Sequence, residues 1–308
     1  MSRPYRAGWL LLLVLSAAHG AEPEQQTEPA SELSSAKQAP ATGQKTSNPA
    51  DARASLRIIA LAPHIVELLY TIGAGAQIIG TTEYADYPAA ANDIPRVGSY
   101  AGLQIEKILQ MKPDLIIAWR SGNPVADLER LQQYHLNVVY SDVTRLDDVA
   151  SELRNFGRLT GHEASAEQHA LAYEQELQRL RATFAKRTPV RVFYELWSRP
   201  LTTVAANAWP QQQLTLCGAD NPFAQLNQDY PGVGLEQVIV SMPEVIIQPS
   251  HQGNNSIDAD AVNWQRWRTI PAVKNGYIIH PDADKLHRMT PRALDEIGLL
   301  CEQIDHAR

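Results

Sequence analysis

The 308-residue chain has almost no cysteine: only Cys217 and Cys301 occur. Two thiols can build neither a disulfide-dense scaffold nor a four-thiolate zinc site. Runs of Lys and Arg are absent and the net charge is −7, which excludes a nucleic-acid partner held on a basic face. No apolar stretch reaches the roughly 20 residues that a membrane-spanning helix requires. The signatures G-x-S-x-G, H-E-x-x-H and G-x-x-x-x-G-K-[ST] are all missing. The nine histidines include His64, His251, His280 and His287, and none stands at paired ligand spacing. With no nucleophile–base pair visible, the sequence offers no catalytic residue and no metal site.

What is present begins with an export signal. Arg3 and Arg6 precede the short apolar segment Gly8–Leu15, and Ser16–Gly20 supplies small residues. That order predicts a secretory signal peptide over 1–20, cut near Gly20. No cysteine lies beside the cut, so a lipid anchor there is excluded. Loss of Arg3 and Arg6 takes the charge of the mature chain to −9. Residues 21–53 hold no aromatic, Ile or Val and are rich in Glu, Gln, Ser, Pro, Ala and Thr, which predicts a disordered tether. In an exported protein Cys217 and Cys301 suit a disulfide closing a long loop within the C-terminal half, with two buried thiols as the alternative.

From residue 54 onward buried strands alternate with helices, which predicts an α/β protein with largely parallel sheets. The expected organisation is an N-terminal lobe over 54–162, a long connecting helix over 163–188 and a C-terminal lobe over 189–308. The helical pattern spans Ala164–Lys186 with Leu171, Leu177, Leu180 and Phe184 on one stripe, and Pro189 stops it. The strongest internal signal is a self-match at an offset of 130 residues. Tyr100 and Glu106–Ile117 answer Tyr230 and Glu236–Ile247, and each copy reads as a turn, a short helix, a proline exit and a buried strand. The lobes are therefore read as structural relatives. Glu106 and Glu236 occupy the first turn of equivalent helices, where they either compensate the helix dipole or present a matched pair of acids to a symmetric partner. Tyr100 and Tyr230 are candidates to face each other across a cleft. His64 follows Pro63 at a strand-to-helix junction, a position where ligands of α/β proteins collect, and reads as a polar cleft residue. Asp284 and Arg288 have the spacing of an ordinary surface pair.

The sequence also resembles the class III iron-siderophore and cobalamin substrate-binding family of ABC importers. The resemblance covers about 56–305. It is carried by Ala62-Pro63-His64 with Glu67-Leu68, Glu83–Pro88, Lys112–Arg120, Leu216-Cys217-Gly218 with Asn221, and Asp284, Arg288, Pro291 and Arg292 through Cys301. It implies two α/β lobes joined by one long helix and a non-catalytic carrier in the periplasm, with no cofactor of its own. The implied cargo is cobalamin or a related corrinoid, with haem or a ferric siderophore as the alternative. The ligand would lie between the lobes against Tyr84, Tyr100, Trp119, Tyr230 and the segment Asp284, Lys285, Leu286, His287 and Arg288, with Leu201 a weaker candidate. Glu106 and Glu236 would meet arginines of a dimeric inner-membrane permease, a monomer would be the working form, and Cys217–Cys301 would be the family's disulfide. The chain departs from the pattern at Tyr100 and Tyr230, where tryptophans are expected, and near Leu201, where phenylalanine is expected.

Overall fold

Parallel strands that are buried on both faces organise the molecule. The computed structural model describes residues 55–184, 186–251 and 261–308, all within one compact unit. The expected signal peptide and tether lie outside the described residues. Among the described residues no helix is long and apolar enough to cross a membrane.

The N-terminal lobe runs β1 (Ile58–Ala60), α1 (Pro63–Thr71), β2 (Ile78–Thr81), the short hairpin β3 (Gly98–Ser99) and β4 (Gly102–Leu103), α2 (Ile105–Met111), β5 (Leu115–Trp119), α3 (Val125–Gln133), β6 (Val138–Ser141) and α4 (Asp148–Thr160). After the long helix α5 (Glu163–Phe184), the C-terminal lobe runs β7 (Val190–Tyr194), the hairpin β8 (Trp197–Ser198) and β9 (Leu201–Thr202), α6 (Trp209–Leu216), β10 (Ala219–Asp220), α7 (Leu235–Ser241), β11 (Val245–Ile247), α8 (Pro271–Asn275), β12 (Ile278–Ile279), α9 (Ala283–Leu286) and α10 (Arg292–Asp305). Each lobe has a four-stranded parallel sheet, ordered β2-β1-β5-β6 and β10-β7-β11-β12. β1 and β11 are buried along their whole length, as expected of strands covered by helices on both faces.

The repeat is visible in the backbone. Helices α2 and α7 have the same length, and both end on a non-glycine residue in the left-handed region, Lys112 at φ 46° and Met242 at φ 50°. Asp114 accepts from the Arg57 amide at 2.8 Å, and Glu244 accepts from the Arg191 amide at 2.8 Å. The guanidinium of Arg57 donates to the Met111 carbonyl and that of Arg191 to the Ser241 carbonyl, closing the same helix end in each lobe. The symmetry therefore reaches back beyond the sequence match, to Arg57 and Arg191.

Helix α5, about 33 Å long at 1.5 Å per residue, does more than connect. One continuous core includes Ile58 and Ile117 of the first sheet, Val192 and Ile247 of the second, and Tyr173, Leu177 and Leu180 of α5. Helix α4 lies against α5 so closely that a Cβ on Gly157 would stand 2.5 Å from that of Ala166. The expected stripe is corrected at Leu171, which is 45% exposed. The buried face is Ala166, Ala170, Tyr173, Leu177, Leu180 and Phe184. Small residues face α4, so a stripe read from leucines alone is rotated. The disulfide joins Cys217, at the end of α6, to Cys301 in α10, with both residues fully buried.

Candidate functional site

The order of each sheet determines where its loops diverge. Chain connections leave β1 and β5 in opposite directions across the first sheet, and β7 and β11 in opposite directions across the second. Such switch points open a crevice at the carboxyl ends of the strands. His64 follows β1 and Trp119 ends β5, while Trp197 follows β7 and His251 follows β11. The two crevices face one another and form two adjoining cavities, of about 470 and 750 Å³, that share Trp119, His251, His287 and Met289 in their walls.

The smaller cavity brings together His64, Tyr84, Asp86 and Trp119 from the first lobe with Asp284 and Arg288 from the second. The larger is lined by Val143 and Thr144 on one side and by Trp197, Trp209 and Tyr230 on the other. Trp197 is 62% exposed, so its indole is available to a ligand. Trp209 is buried and donates from Nε1 to the Leu286 carbonyl at 2.7 Å, which fixes its plane. Gly122 gives Trp119 its seat: a Cβ there would lie 1.8 Å from the indole ring. Asn123 completes the turn, accepting from the Trp119 amide at 2.7 Å and donating to the Leu61 carbonyl at 2.8 Å.

Several expected residues lie elsewhere. Tyr100 sits on the β3–β4 turn, is 74% exposed and lines neither cavity. Leu286 is in the core, and only its carbonyl is used, by Trp209 and Gln213. Lys285 pairs with Glu296 at 3.2 Å and Asp282 at 3.5 Å, outside both cavities. Leu201 packs against the second lobe's core. Glu106 and Glu236 are exposed at equivalent first-turn positions of α2 and α7, with Arg130 3.7 Å from Glu106.

The i,i+4 pair Asp284–Arg288 is also recast, because its separation is 3.6 Å while Arg288 has nearer partners in the other lobe. Its guanidinium donates to Glu67 at 2.7 Å, pairs with Asp86 at 2.7 Å and reaches the Tyr84 carbonyl at 3.3 Å. Glu67, on α1, also accepts from Arg292 at 2.7 and 3.2 Å and from the Thr290 hydroxyl at 3.1 Å. Arg292 in turn stacks 3.9 Å over the Tyr87 ring. A buried carboxylate thus ties α1 to the segment 288–292 and closes one wall of the cleft. Tyr84 is held there at φ 65°, a conformation that costs a non-glycine residue about 1–2 kcal/mol.

Two cavity histidines are uncharged. Burial lowers His64 to about 3, with its ring edge-on to Trp119 at 5.2 Å and Ser141 Oγ 3.5 Å from Nε2. Burial first, and repulsion from His251 second, lower His287 to about 4, against an opposing pull from Asp284. Burial also raises the Tyr194 hydroxyl, which keeps its proton and lies within hydrogen-bonding distance of His287 Nε2, at 2.8 Å. An unfolded histidine binds a proton near pH 6.5. Below that pH the unfolded chain gains protons that the folded chain refuses, so stability is intact above about 6.5 and falls toward 4. Between pH 7 and 5.5 each histidine should cost about 1.2 kcal/mol. Urea midpoints across that window will fall, and His287→Gln will flatten the fall; an unchanged midpoint would show that both rings protonate in place.

The comparisons with known proteins agree with this architecture. Residues 58–285 match the periplasmic binding protein family. The chain is 37% identical over 253 residues to the vitamin B12-binding protein of Vibrio cholerae, covering 82% of this chain and 90% of that protein. It is 34% identical, with the same coverage, to the vitamin B12-binding protein of Vibrio parahaemolyticus. The crystal structure of periplasmic vitamin B12 binding protein BtuF of Vibrio cholerae superposes with a TM-score of 0.75 at 36% identity, covering 82% of this chain and 98% of that one. The periplasmic haem-binding protein RhuT from Roseiflexus shares the fold, with a TM-score of 0.72 at 22% identity over 82% of this chain and all of that one.

Proposed function

The chain belongs to the periplasmic binding protein family, and we propose that it captures cobalamin in the periplasm and hands it to an ABC importer. The observation that carries this reading is the aromatic-walled double cavity between the lobes, in a chain over one third identical to vitamin B12-binding proteins. The larger cavity alone stands in the upper part of the roughly 300–1,000 Å³ range of ligand pockets, and the smaller opens beside it. Trp119, Trp197 and Tyr230 supply flat apolar area, while His251, Asp284 and Ser121 offer polar atoms that orient the ligand. The shared core along α5 favours capture by walls already in place, because their spacing costs little to fix on binding. Calorimetric titration with cyanocobalamin should give a 1:1 complex. No heat with cyanocobalamin, alongside tight binding of haem or a ferric siderophore, would move the assignment to those ligands.

Delivery is assigned to Glu106 and Glu236, exposed and related by the pseudo-symmetry of the lobes, as the acids that meet a dimeric permease. The double variant Glu106→Lys/Glu236→Lys should keep its cobalamin affinity while uptake into permease-containing vesicles falls at least about tenfold. An equal loss of affinity would overturn the docking role. Export by the signal at 1–20, with cleavage near Gly20, completes the proposal.

A further inference from the structure

Resting on the corrinoid reading above, we infer that His251, backed by Asp284, supplies an axial nitrogen to the cobalt of a corrinoid that arrives without a lower base of its own. Four histidines stand near the carboxyl ends of the strands, and their environments separate them. His64 is 3% exposed and wedged against Trp119. His287 has committed Nε2 to Tyr194. His280 has its Nδ1 on the Gln248 carbonyl and lines neither interlobe cavity. His251 lines both cavities with its side chain 69% exposed, and its Nδ1 lies 3.1 Å from Asp284 Oδ1.

That pairing fixes the tautomer. A neutral imidazole that donates from Nδ1 to a carboxylate presents the Nε2 lone pair, and the carboxylate raises its basicity toward a metal. Backbone pairing holds both members. Ser250 and Asp282 form a parallel bridge, with the Ser250 amide donating to the Pro281 carbonyl at 2.9 Å and the Ala283 amide to the Ser250 carbonyl at 3.0 Å. The Asp282 side chain caps α9 by accepting from the Asp284 amide at 2.9 Å. Arg288 lies 3.6 Å from Asp284 on the side of the cleft.

One histidine and one carboxylate cannot cage a free cation, and the described residues contain no group of three or more such ligands. A corrinoid brings its equatorial ligands with it, so a single axial nitrogen is all that the protein need add. The step is a ligand exchange: a cobalt–water bond breaks, the Nε2 lone pair forms the new bond, and the Nδ1 proton stays hydrogen-bonded to Asp284. No electron is transferred. Cobalamin, whose own base occupies the lower position, gains much less from His251 than cobinamide does.

Absorption spectra of diaquacobinamide and cyanocobalamin, titrated separately with the full chain, test this. Bound cobinamide should show a shifted spectrum that His251→Ala abolishes, with a loss of cobinamide affinity of about tenfold or more. Cyanocobalamin affinity, to which His251 contributes one polar contact and no cobalt bond, should fall by less than cobinamide affinity does. Asp284→Asn should weaken the spectral shift, and His64→Ala should retain it. A shift that survives His251→Ala, or disappears in His64→Ala, would overturn the inference while leaving the cobalamin reading intact. Absence of binding by either corrinoid would remove the functional reading and this one together.

Discussion

Replacing Glu67 with alanine should destabilise the protein by about 3–5 kcal/mol, the range found when one partner of a buried ion pair is removed. The Glu67 side chain is 2% exposed, and the guanidinium-bearing side chains that it holds are 11% and 20% exposed. Its removal leaves Arg292 and the buried Thr290 hydroxyl without their acceptor, and leaves Arg288 dependent on the exposed Asp86. At about 2–4 °C per kcal/mol for a body of this size, the thermal midpoint should fall by about 10 °C. Glu67→Gln keeps the shape and one acceptor oxygen, so it should fall between wild type and alanine. Because Glu67 bridges the lobes, the alanine variant should also lose cobalamin affinity as the Tyr84 wall loosens. A midpoint within 2 °C of wild type would mean that water replaces the carboxylate, and the bridge would then contribute nothing to stability.

Removing the cross-link should have a comparable cost. The disulfide closes a separation of 84 residues, and the loop-entropy relation gives about 4.5 kcal/mol for a loop of that length. Both cysteines are fully exposed to the core and not to solvent, so Cys217→Ala/Cys301→Ala removes the cross-link together with little buried volume. The double variant should unfold at a lower urea concentration, with the loss seen in the second lobe, where α6 and α10 are no longer tied. Hydrogen exchange will locate it: faster exchange in α6 and α10, with β1 and β5 changed less. An unchanged urea midpoint would show that packing around Trp209 and Ile297 already constrains the two helices.

The local features of the fold were legible because short-range chemistry dictates them. The strand-to-helix junction at Pro63 and His64, the proline exits after α2 and α7, and the buried strands β5 and β11 are each written in a few consecutive residues. The repeat was readable for the same reason, since each copy is one contiguous unit. Helices α4 and α6 were not read: α6 is short and glutamine-rich, whereas α4 does carry a helical apolar stripe, Val149, Leu153 and Phe156, that could have found it. Trp197 escaped notice because a tryptophan beside a two-residue strand has no local signature, although its place after β7 mirrors that of His64 after β1.

By itself, the sequence determined the α/β class, the two related lobes, the long helix between them, the matched acids Glu106 and Glu236, and Trp119, Tyr84, Tyr230 and His64 as cleft residues. These follow from periodicity, punctuation and self-similarity, which act over a few residues, or from the family resemblance. Only the tertiary structure decided that Arg288 bridges to Glu67, 221 positions away, that Leu286 belongs to the core, that Tyr100 lines neither cavity and that His251 meets Asp284 at the cleft. The physical reason is that a side chain's charge partner and burial depend on which distant elements pack beside it, and no local pattern encodes that choice.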